Sequence, residues 1–402
     1  MHHLRWEDAL TTMYRAGYSS TPATRIADLG CCIGTVLAED VYSPMPLPHY
    51  DSSAMDGYAV SGQGPWRLLT QEFLPQQNRH RETLTLADGQ ATPILTGGLI
   101  PQGTTAIVRQ ENARHETHNG VPYIVSSPES PAPGADIRRT GEELPRGATL
   151  VTAGTRLTSR HIALLAVSGI DFLEILQPPK VALAFTGNEV ITSGIPAPGE
   201  VRDAYSLHFP WLIQRMGAHL YSTERLHDSP TELHTWLDSP RTADAQVLIL
   251  TGGSSTSEVD FVRTVLTERG ASYLFPAVAV RPGHPCLAAQ LPDGRIVLGL
   301  PGNPLAAHVS LYSYLPHYIT GYLDQEPPQL LTATATNTVP SFKKNDVRLI
   351  PASYSGGKAT VVLKHAQSHM LSALAQANTL AVIPPDGVAP GSRIKLLSLP
   401  SE

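Results

Sequence analysis

Residues 247–260, VLILTGGSSTSEVD, combine an apolar run with two glycines, several hydroxyl residues and two carboxylates. An apolar run that ends in Gly-Gly is typical of a buried parallel strand, and ligands of an open α/β sheet bind at the carboxyl ends of such strands. Glycines let the main chain approach a phosphate closely, and Glu258 and Asp260 can hold a divalent cation against it. A turn that only needs positive φ would show the same Gly-Gly pair. The residues predicted to contact a phosphorylated ligand are Gly252, Gly253, Ser254 and Ser255.

Two further apolar runs end in turns of related chemistry. Residues 296–304, IVLGLPGNP, end in a turn whose two prolines fix φ on either side of a flexible glycine, which makes the loop stiff. Residues 181–189, VALAFTGNE, run into Thr-Gly and a carboxylate. Three strand ends of similar chemistry thus lie within one segment, which favours a ligand site over a simple turn. The residues assigned to this site are Thr186, Gly187, Glu189, Pro301, Gly302, Asn303 and Pro304.

Length, composition and charge limit the class of protein. With 402 residues, of which 42% are hydrophobic, the chain can bury several cores, and two to four domains are expected. The formal net charge of −6 comes without a basic block, so no nucleic-acid partner is predicted. No apolar stretch approaches the roughly 20 residues that span a bilayer, and the N-terminus lacks the apolar region of a signal peptide. These features predict a cytoplasmic protein without membrane contact.

The pattern of strands and helices changes along the chain. Residues after about position 60 are rich in strand formers and turns, which predicts an inserted all-β domain. From residue 180 to about residue 322, apolar strands alternate with helices, which predicts βαβ units and a sheet rich in parallel strands. After Pro327 and Pro328 the chain returns to short strands and turns. This last part is predicted to form a small β-barrel or sandwich.

The predicted fold class is therefore α/β plus β, in several domains. A discontinuous N-terminal domain of mixed α/β character takes residues 1–45 and 137–177, and the inserted β domain takes residues 46–136. The α/β domain covers residues 178–325, and the C-terminal β-barrel covers residues 326–402. All three strand ends described above fall in the α/β domain.

Seven motifs follow one another over nearly the whole chain: SSAMDGYAV (52–60), LTGGLIPQGTTAIVRQE (95–111), IRRTGEEL, AFTGNE, TGGSSTSEVD, VRPGHP (280–285) and GLPGNP. In order and spacing they resemble the molybdopterin molybdenumtransferase family of MoeA-type, gephyrin E-domain-like proteins. The resemblance implies an elongated protein of four domains, usually a homodimer, whose βαβ part is a molybdopterin-binding domain. It also implies that adenylylated molybdopterin and molybdate are substrates, that AMP is released, and that Mg²⁺ or another divalent cation assists.

The resemblance assigns acidic residues to the reaction. Asp260 and Glu189 match family positions on strand-end loops, which implies roles in catalysis, metal binding and the phosphate site. Each carboxylate could instead interact with the macrodipole of a helix N-terminus. Asp56 matches a catalytic residue that approaches the site from the second subunit, and Thr96 matches a substrate-binding residue of the same β domain. From the local sequence alone, these two are a turn residue and a strand-end hydroxyl.

Four residues resemble the molybdate site of the family. Molybdate is a tetrahedral dianion, so its pocket needs cations and N–H or O–H donors. Arg281 and His284 occupy two positions at which many family members carry lysine, and Arg348 and Ser368 resemble anion-site residues of the C-terminal part. Arg281 keeps the charge of lysine and adds a planar fork. His284 keeps a hydrogen-bond donor but loses the permanent charge.

Two alternatives to a molybdenumtransferase stay open, and other departures from the family bear on the first of them. Ala306 and Ala307 replace a Ser-containing pattern after the Pro-Gly-Asn-Pro turn, and Asn188 replaces an Asp next to Glu189. With these replacements the chain is either an enzyme with an altered site or a catalytically weakened paralogue that acts as a binding or scaffold protein. An adenylyltransferase-like enzyme that makes adenylylated molybdopterin is the second alternative. The expected partners are small-molecule substrates, with transient contacts to the molybdopterin adenylyltransferase and to molybdoenzymes.

Overall fold

The structure is a computed structural model that describes residues 4–69, 84–251, 258–342 and 346–400. Contacts separate the chain into two compact units, of which one is Ile26–Ile175 and the other combines Met1–Arg25 with Leu176–Glu402. None of the helices in the described ranges is long and apolar enough to cross a membrane.

The chain begins with strand β1 (Leu4–Arg5) and helix α1 (Trp6–Tyr18). Acidic residues occupy the first turn of α1 and a basic residue its last turn, which suits the helix macrodipole. The buried face of α1 includes Trp6, Leu10 and Met13, at the spacing of three or four residues that lines one side of a helix. This face anchors α1 to the unit that contains the α/β sheet.

The unit Ile26–Ile175 is built from short strands and, among its described residues, one α-helix. Its elements and bordering strands are β2 (Thr24–Asp28), β3 (Val36–Leu37), β4 (Val41–Tyr42), β5 (Ser52–Ser53), β6 (Gly57–Val60), β7 (Trp66–Leu68), β8 (Gln90–Ile94), β9 (Ala106–Arg109), β10 (Ala113–His118), β11 (Val121–Ser126), β12 (Ile137–Arg138), β13 (Thr149–Val151), α2 (Ser159–Val167) and β14 (Phe172–Leu176), with 3₁₀ turns at Leu29–Cys31 and Gln110–Asn112. Strands β10, β11, β7, β8, β6 and β9 form one sheet in that order, around a core that includes Trp66 and Ile124. This sheet agrees with the strand-rich character predicted for residues 46–136. The domain bounds themselves stay predictions.

Strands and helices alternate from Lys180 to Tyr322, as the apolar runs predict. In chain order they are β15 (Lys180–Phe185), β16 (Val190–Ile191), β17 (Val201–Arg202), α3 (Phe209–Arg215), β18 (His219–Arg225), α4 (Pro230–Leu237), β19 (Val247–Thr251), α5 (Glu258–Glu268), β20 (Ser272–Phe275), β21 (Val278–Arg281), β22 (Leu287–Gln290), β23 (Ile296–Leu300) and α6 (Pro304–Tyr322). The main sheet has the order β18-β15-β19-β23-β22-β20. Its first four strands are parallel, and β22 pairs antiparallel with β23 on one side and with β20 on the other. The prediction of a parallel-rich sheet is confirmed.

Helix α6 is buried on nearly every side and packs directly against α1. A Cβ atom on Gly17 of α1 would lie 2.1 Å from the carbonyl oxygen of Tyr318, and one on Gly321 of α6 would lie 2.0 Å from that of Tyr14. Only glycine allows two backbones to approach this closely. The crossing of α1 and α6 is therefore fixed, and with it the position of the N-terminus of α6.

The C-terminal strands form a closed barrel. They are β24 (Leu331–Ala335), β25 (Val347–Ser355), β26 (Lys358–Val361), β27 (Thr379–Ile383) and β28 (Arg393–Ser398), with a 3₁₀ turn at Leu374–Gln376. The barrel closes because β25 pairs with both β26 and β27, so the predicted small β-barrel is confirmed. Strand β21 pairs in parallel with β25 and, on its other side, with β1. Residues 280–285 therefore begin in strand β21 and continue as a turn.

Candidate functional site

The three predicted strand ends lie side by side at one edge of the main sheet. The register pairs Phe185 of β15 with Thr251 of β19, and Thr251 with Leu300 of β23, so the strands end at one level. The N–H of Thr186 donates a hydrogen bond of 2.7 Å to the carbonyl oxygen of Thr251. The three loops therefore leave the sheet together, at the edge where α/β proteins bind ligands. The predicted ligand contacts that lie outside the described residues are those of Gly252, Gly253, Ser254 and Ser255.

The first loop is held by a carboxylate that the sequence pattern did not indicate. Gly187 has a φ of +120°, a conformation that residues with a side chain rarely adopt. The N–H groups of Gly187 and Asn188 donate hydrogen bonds of 2.9 Å to the two carboxylate oxygens of Asp228. Asp228 follows β18. Because the sequence of β18 mixes polar and apolar residues, it was not recognised as a strand, and Asp228 was not recognised as a carboxylate just beyond a strand end. It fixes the direction in which the loop presents Glu189.

Glu189 and Asp260 are the two carboxylates predicted to hold a divalent cation. Glu189 is exposed, and its carbonyl oxygen accepts a hydrogen bond from the N–H of Val201, which anchors the loop. Asp260 lies in the first turn of α5, and its side chain is outside the described part of the chain. Mg²⁺ takes one or two carboxylates and completes its shell with water and phosphate oxygens, so an exposed strand-end carboxylate suits it. Across the residues whose placement is described, no group of three His, Cys, Asp or Glu could hold a metal.

The Pro-Gly-Asn-Pro turn connects β23 to α6. Asn303 is the N-cap residue of α6 and Pro304 is its first residue, where a missing N–H leaves no hydrogen bond unmade. The N–H groups of Leu305 and Ala306 donate to the carbonyl oxygen of Ser368, at 2.9 and 3.3 Å. The loop that carries Ser368 thus caps α6 and is tied to the end of the turn.

A cavity of about 650 Å³ lies between this turn and the barrel. All four residues predicted to bind molybdate line it, together with two residues of the turn. The lining residues are Arg281, Pro282, Gly283, His284, Pro285, Pro301, Asn303, Ala306, Pro340, Phe342, Arg348, Ile350, Leu363, Ala366, Gln367 and Ser368. The fold therefore gathers into one cavity segments that are far apart in the sequence.

Two arginines give this cavity a positive wall. The register of β21 with β25 pairs Arg281 with Arg348, and Nε of Arg281 donates a hydrogen bond of 2.9 Å to Oδ2 of Asp346. The guanidinium of Arg348 lies over the ring of Phe342, and its Nη2 donates to the carbonyl oxygen of Pro340. Among the described residues, Nε of Arg348 is buried without a hydrogen-bond partner, and burial lowers the pKa of this guanidinium. An anion that accepted a bond from Nε would remove the free-energy cost of the unpaired donor.

The departures from the family pattern lie at different places. His284 and Ala306 line the cavity, so both affect the contacts that an anion would make there. Ala307 is fully buried in α6. Asn188 accepts a hydrogen bond of 3.2 Å from the N–H of Asp228 with its side-chain oxygen. An amide at this position makes that bond without adding a second negative charge beside Asp228.

In the unit Ile26–Ile175, Asp56 and Thr96 are hydrogen-bonded partners. Oδ1 of Asp56 accepts bonds from the N–H and the hydroxyl of Thr96, at 2.7 and 2.8 Å. These two bonds lower the pKa of the Asp56 carboxyl, because they favour its charged form. Both residues are exposed. Asp56 lies in a bend before β6 and Thr96 in a turn after β8, so the two bonds join separate segments and leave an ionised carboxylate at the surface.

Three family descriptions match successive parts of the chain. The MoeA N-terminal region (domain I and II) matches residues 4–169, the probable molybdopterin binding domain matches residues 182–320, and the MoeA C-terminal region (domain IV) matches residues 332–399. The first two matches contain the strand-end loops and the Asp56 turn. The third contains the barrel wall of the cavity.

Named relatives are similar over most of the chain. A molybdopterin molybdenumtransferase from Nostoc sp. is 31% identical over 399 residues, which are 94% of this chain and 89% of that protein. Molybdopterin molybdenumtransferase 2 from Mycobacterium tuberculosis is 32% identical over 386 residues, which are 91% of this chain and 93% of that protein. The solved structure of a molybdopterin biosynthesis MoeA protein from Pyrococcus horikosii covers 100% of both chains with a TM-score of 0.78. At 21% identity, that structure shows a shared fold.

Proposed function

Because the chain belongs to the molybdopterin molybdenumtransferase family, we propose that it binds adenylylated molybdopterin and molybdate, inserts molybdenum into the dithiolene and releases AMP. The chain is a transferase of molybdenum cofactor biosynthesis, like the relatives that match 94% and 91% of its length. One observation carries the finer proposal. Two arginines and His284 line one cavity with the Pro-Gly-Asn-Pro turn, so an anion site adjoins a strand-end loop.

Arg281, His284, Arg348 and Ser368 would hold molybdate. A dianion loses part of its water shell when it enters a cavity, and guanidinium N–H groups replace water with charge-assisted hydrogen bonds. The buried Nε of Arg348 is a donor to which no described residue offers an acceptor. Arg281 is partly neutralised by Asp346, so Arg348 contributes more of the unbalanced positive charge.

The carboxylates of the strand-end loops would serve the phosphoanhydride. When an oxygen nucleophile bonds to phosphorus and the bond to AMP breaks, negative charge builds on the phosphate oxygens. Glu189 and Asp260 would hold Mg²⁺, or another divalent cation, which supplies charge neutralisation there. Asp228 would keep the Glu189 loop in place through its bonds to the backbone of that loop. The loop is then preorganised before the cation and the substrate bind.

We assign Asp56 and Thr96 to the active site of a partner subunit, so the working form would be a homodimer. The family resemblance of the SAMDGY motif supports this assignment. The exposure and the ionised state of the Asp56 carboxylate also support it, because a residue that acts across an interface has to be accessible on its own subunit. We propose that this homodimer works in the cytoplasm.

Arg348→Met is expected to weaken molybdate binding about 10-fold or more. Loss of a charge-assisted hydrogen bond costs roughly 1.5–3 kcal/mol, and each 1.4 kcal/mol is about a tenfold change in Kd. Arg348→Lys should recover part of the affinity, because it keeps the charge but loses the planar fork. Calorimetric titration with molybdate measures the effect, and Arg393→Met, at an exposed position of β28, is the matched control. Equal affinities of Arg348→Met and the wild type would contradict this role.

Asp228→Asn is expected to lower kcat/KM for AMP release about 10-fold. The amide keeps the size of the side chain, but it presents an NH₂ group where one loop N–H needs an acceptor, so the loop of Glu189 shifts. Asp244→Asn is the control, since it changes the same charge at an exposed position before the other end of β19. Steady-state kinetics with both variants decide the matter. A normal kcat/KM in Asp228→Asn would show that the carboxylate does not position this loop.

The direct experiment incubates the purified protein with adenylylated molybdopterin, molybdate and Mg²⁺ and follows AMP and the molybdenum cofactor by chromatography. We expect AMP release that depends on molybdate and on the cation. Formation of adenylylated molybdopterin from molybdopterin and ATP would support the adenylyltransferase alternative instead. Binding of the pterin without either reaction would support the scaffold alternative. Relatives named as molybdenumtransferases over most of the chain favour neither alternative.

A further inference from the structure

Two side chains outside the cavity lining bond to carbonyl groups of the Pro-Gly-Asn-Pro turn. The hydroxyl of Tyr205 donates a hydrogen bond of 2.5 Å to the carbonyl oxygen of Gly302. Nδ1 of His308 donates a hydrogen bond of 2.7 Å to the carbonyl oxygen of Pro304. The other two residues of the turn line the cavity. The turn is thus held at Gly302 and Pro304, whereas Pro301 and Asn303 line the cavity.

His308 is connected in turn to His208. Their Nε2 atoms are 2.8 Å apart, and the ring planes differ by 13°. A carbonyl oxygen only accepts, so Nδ1 of His308 carries a hydrogen, and Nε2 of the neutral ring accepts the N–H of His208. His308 is 4% exposed, and burial together with the nearby His208 lowers the pKa of His308 to about 4. The ring is therefore neutral at physiological pH, as this hydrogen-bond chain requires.

Tyr205 is itself held in place by its neighbours. Oδ1 of Asp203 accepts hydrogen bonds of 2.7 and 3.0 Å from the N–H groups of Tyr205 and Ser206. Asp203 is buried and forms an ion pair with Arg225 at the end of β18. The ring of Phe209 packs against the ring of Tyr205, with 5.0 Å between centroids. Burial raises the pKa of Tyr205, so its hydroxyl stays a donor.

We propose that Tyr205, His208 and His308 are positioning residues that set the conformation of the Pro-Gly-Asn-Pro turn for binding of the pterin substrate. The inference rests on the proposed function and on the sequence-based assignment of this turn to the site of adenylylated molybdopterin. The prolines restrict φ only at their own positions, and Gly302 between them has the widest backbone freedom of any residue. A binding loop has to be held within a fraction of an ångström of its productive geometry. Loss of the two carbonyl bonds therefore weakens substrate binding before it changes the chemical step.

Helix α6 offers a matched control for this proposal. His317 is 4% exposed, as His308 is, and its Nδ1 donates a hydrogen bond of 2.8 Å to the carbonyl oxygen of Ser313. Ser313 precedes His317 by the same four residues that separate Pro304 from His308, but it lies in the middle of the helix, whereas Pro304 is both the first residue of α6 and the last residue of the turn. A leucine at either position therefore removes a buried histidine and its backbone bond from the same helix. Only the change at His308 releases the turn.

Three variants test the cluster by removing different bonds. Tyr205→Phe deletes one oxygen atom and keeps the packing of the ring against Phe209. His308→Leu removes the bonds to Pro304 and His208, whereas His308→Asn keeps a side-chain N–H for Pro304. The readouts are KM and kcat for AMP release, thermal unfolding, and hydrogen–deuterium exchange of a peptide that covers the turn. His317→Leu is measured beside them.

We expect Tyr205→Phe and His308→Leu to raise KM for adenylylated molybdopterin about 10-fold, with kcat changed less than about twofold. Amide exchange in the turn should become faster, and His308→Asn should recover part of both effects. His317→Leu should lower Tm as His308→Leu does, with the KM and the turn exchange of the wild type. Unchanged KM and exchange in the turn variants, or an equal rise of KM in His317→Leu, would overturn the proposal. A wild-type protein that releases no AMP would refute the proposed function instead, and the exchange data would still show whether the cluster holds the turn.

Discussion

Asp260→Asn is expected to lower the rate of AMP release about 100-fold or more, while adenylylated molybdopterin still binds. A loss of this size corresponds to roughly 3 kcal/mol of transition-state stabilisation. Asp260 lies in the first turn of α5, just beyond the loop that leaves β19, and β19 is the direct neighbour of the strand that presents Glu189. The substitution keeps the size of the side chain and removes its charge. A cation held by Asp260 and Glu189 would lose one of two negative ligands.

The control for this prediction is Glu268→Gln, at the last residue of α5. It changes the net charge by the same amount on the same helix, at an exposed position far from the strand ends, and it should leave turnover unchanged. If the role of Asp260 is to bind the cation, a higher Mg²⁺ concentration should recover part of the lost rate. Wild-type turnover of Asp260→Asn at every Mg²⁺ concentration, including those too low to saturate the wild-type protein, would remove this residue from the mechanism.

The buried parallel strands were the part of the fold that could be predicted with least ambiguity. Strand β19 is buried along its whole length, so its sequence is an unbroken apolar run between polar segments. Strand β18 lies at the edge of the same sheet, and its mixture of exposed and half-buried residues produces no such run. The prediction missed β18, and with it the carboxylate of Asp228 just beyond its end. Edge strands carry less sequence signal because less of their surface is buried.

The anion cavity could not be derived from local patterns, because pairing between distant strands builds it. Arg281 and Arg348 are brought together by the parallel pairing of β21 with β25, and closure of the barrel sets where β25 lies. Only the family resemblance grouped these residues in advance. The contact between His208 and His308 was even harder to predict, since the two residues are 100 positions apart and neither belongs to a motif. Their contact follows from where α3 begins and from how α6 is anchored to α1.

A mixture of inactive Asp56→Ala and inactive Asp260→Ala proteins is expected to regain activity under conditions that exchange subunits. The family resemblance predicts that each active site takes Asp260 from one subunit and Asp56 from the other. In an equal mixture with random exchange, about half of the dimers combine the two variants. One site of each mixed dimer has both carboxylates and the other has neither. Recovery should therefore approach about a quarter of the wild-type rate of AMP release, measured after exchange is verified with differently tagged subunits.

Asp51→Ala is the control that separates a catalytic role of the Asp56 carboxylate from a structural role of its hydrogen bonds to Thr96. Oδ1 of Asp51 accepts hydrogen bonds of 2.8 Å from the N–H and the hydroxyl of Thr140, which is the arrangement that Asp56 makes with Thr96. Asp51→Ala therefore removes the same pair of Asp–Thr hydrogen bonds from the same unit, together with an ion pair to Arg139, and should retain most of the activity. If each site lay within one subunit, every site in the mixture would carry a defect. Verified mixed dimers without AMP release would then exclude the shared site, whereas recovery with an active Asp51→Ala protein would assign the Asp56 carboxylate to the partner's reaction.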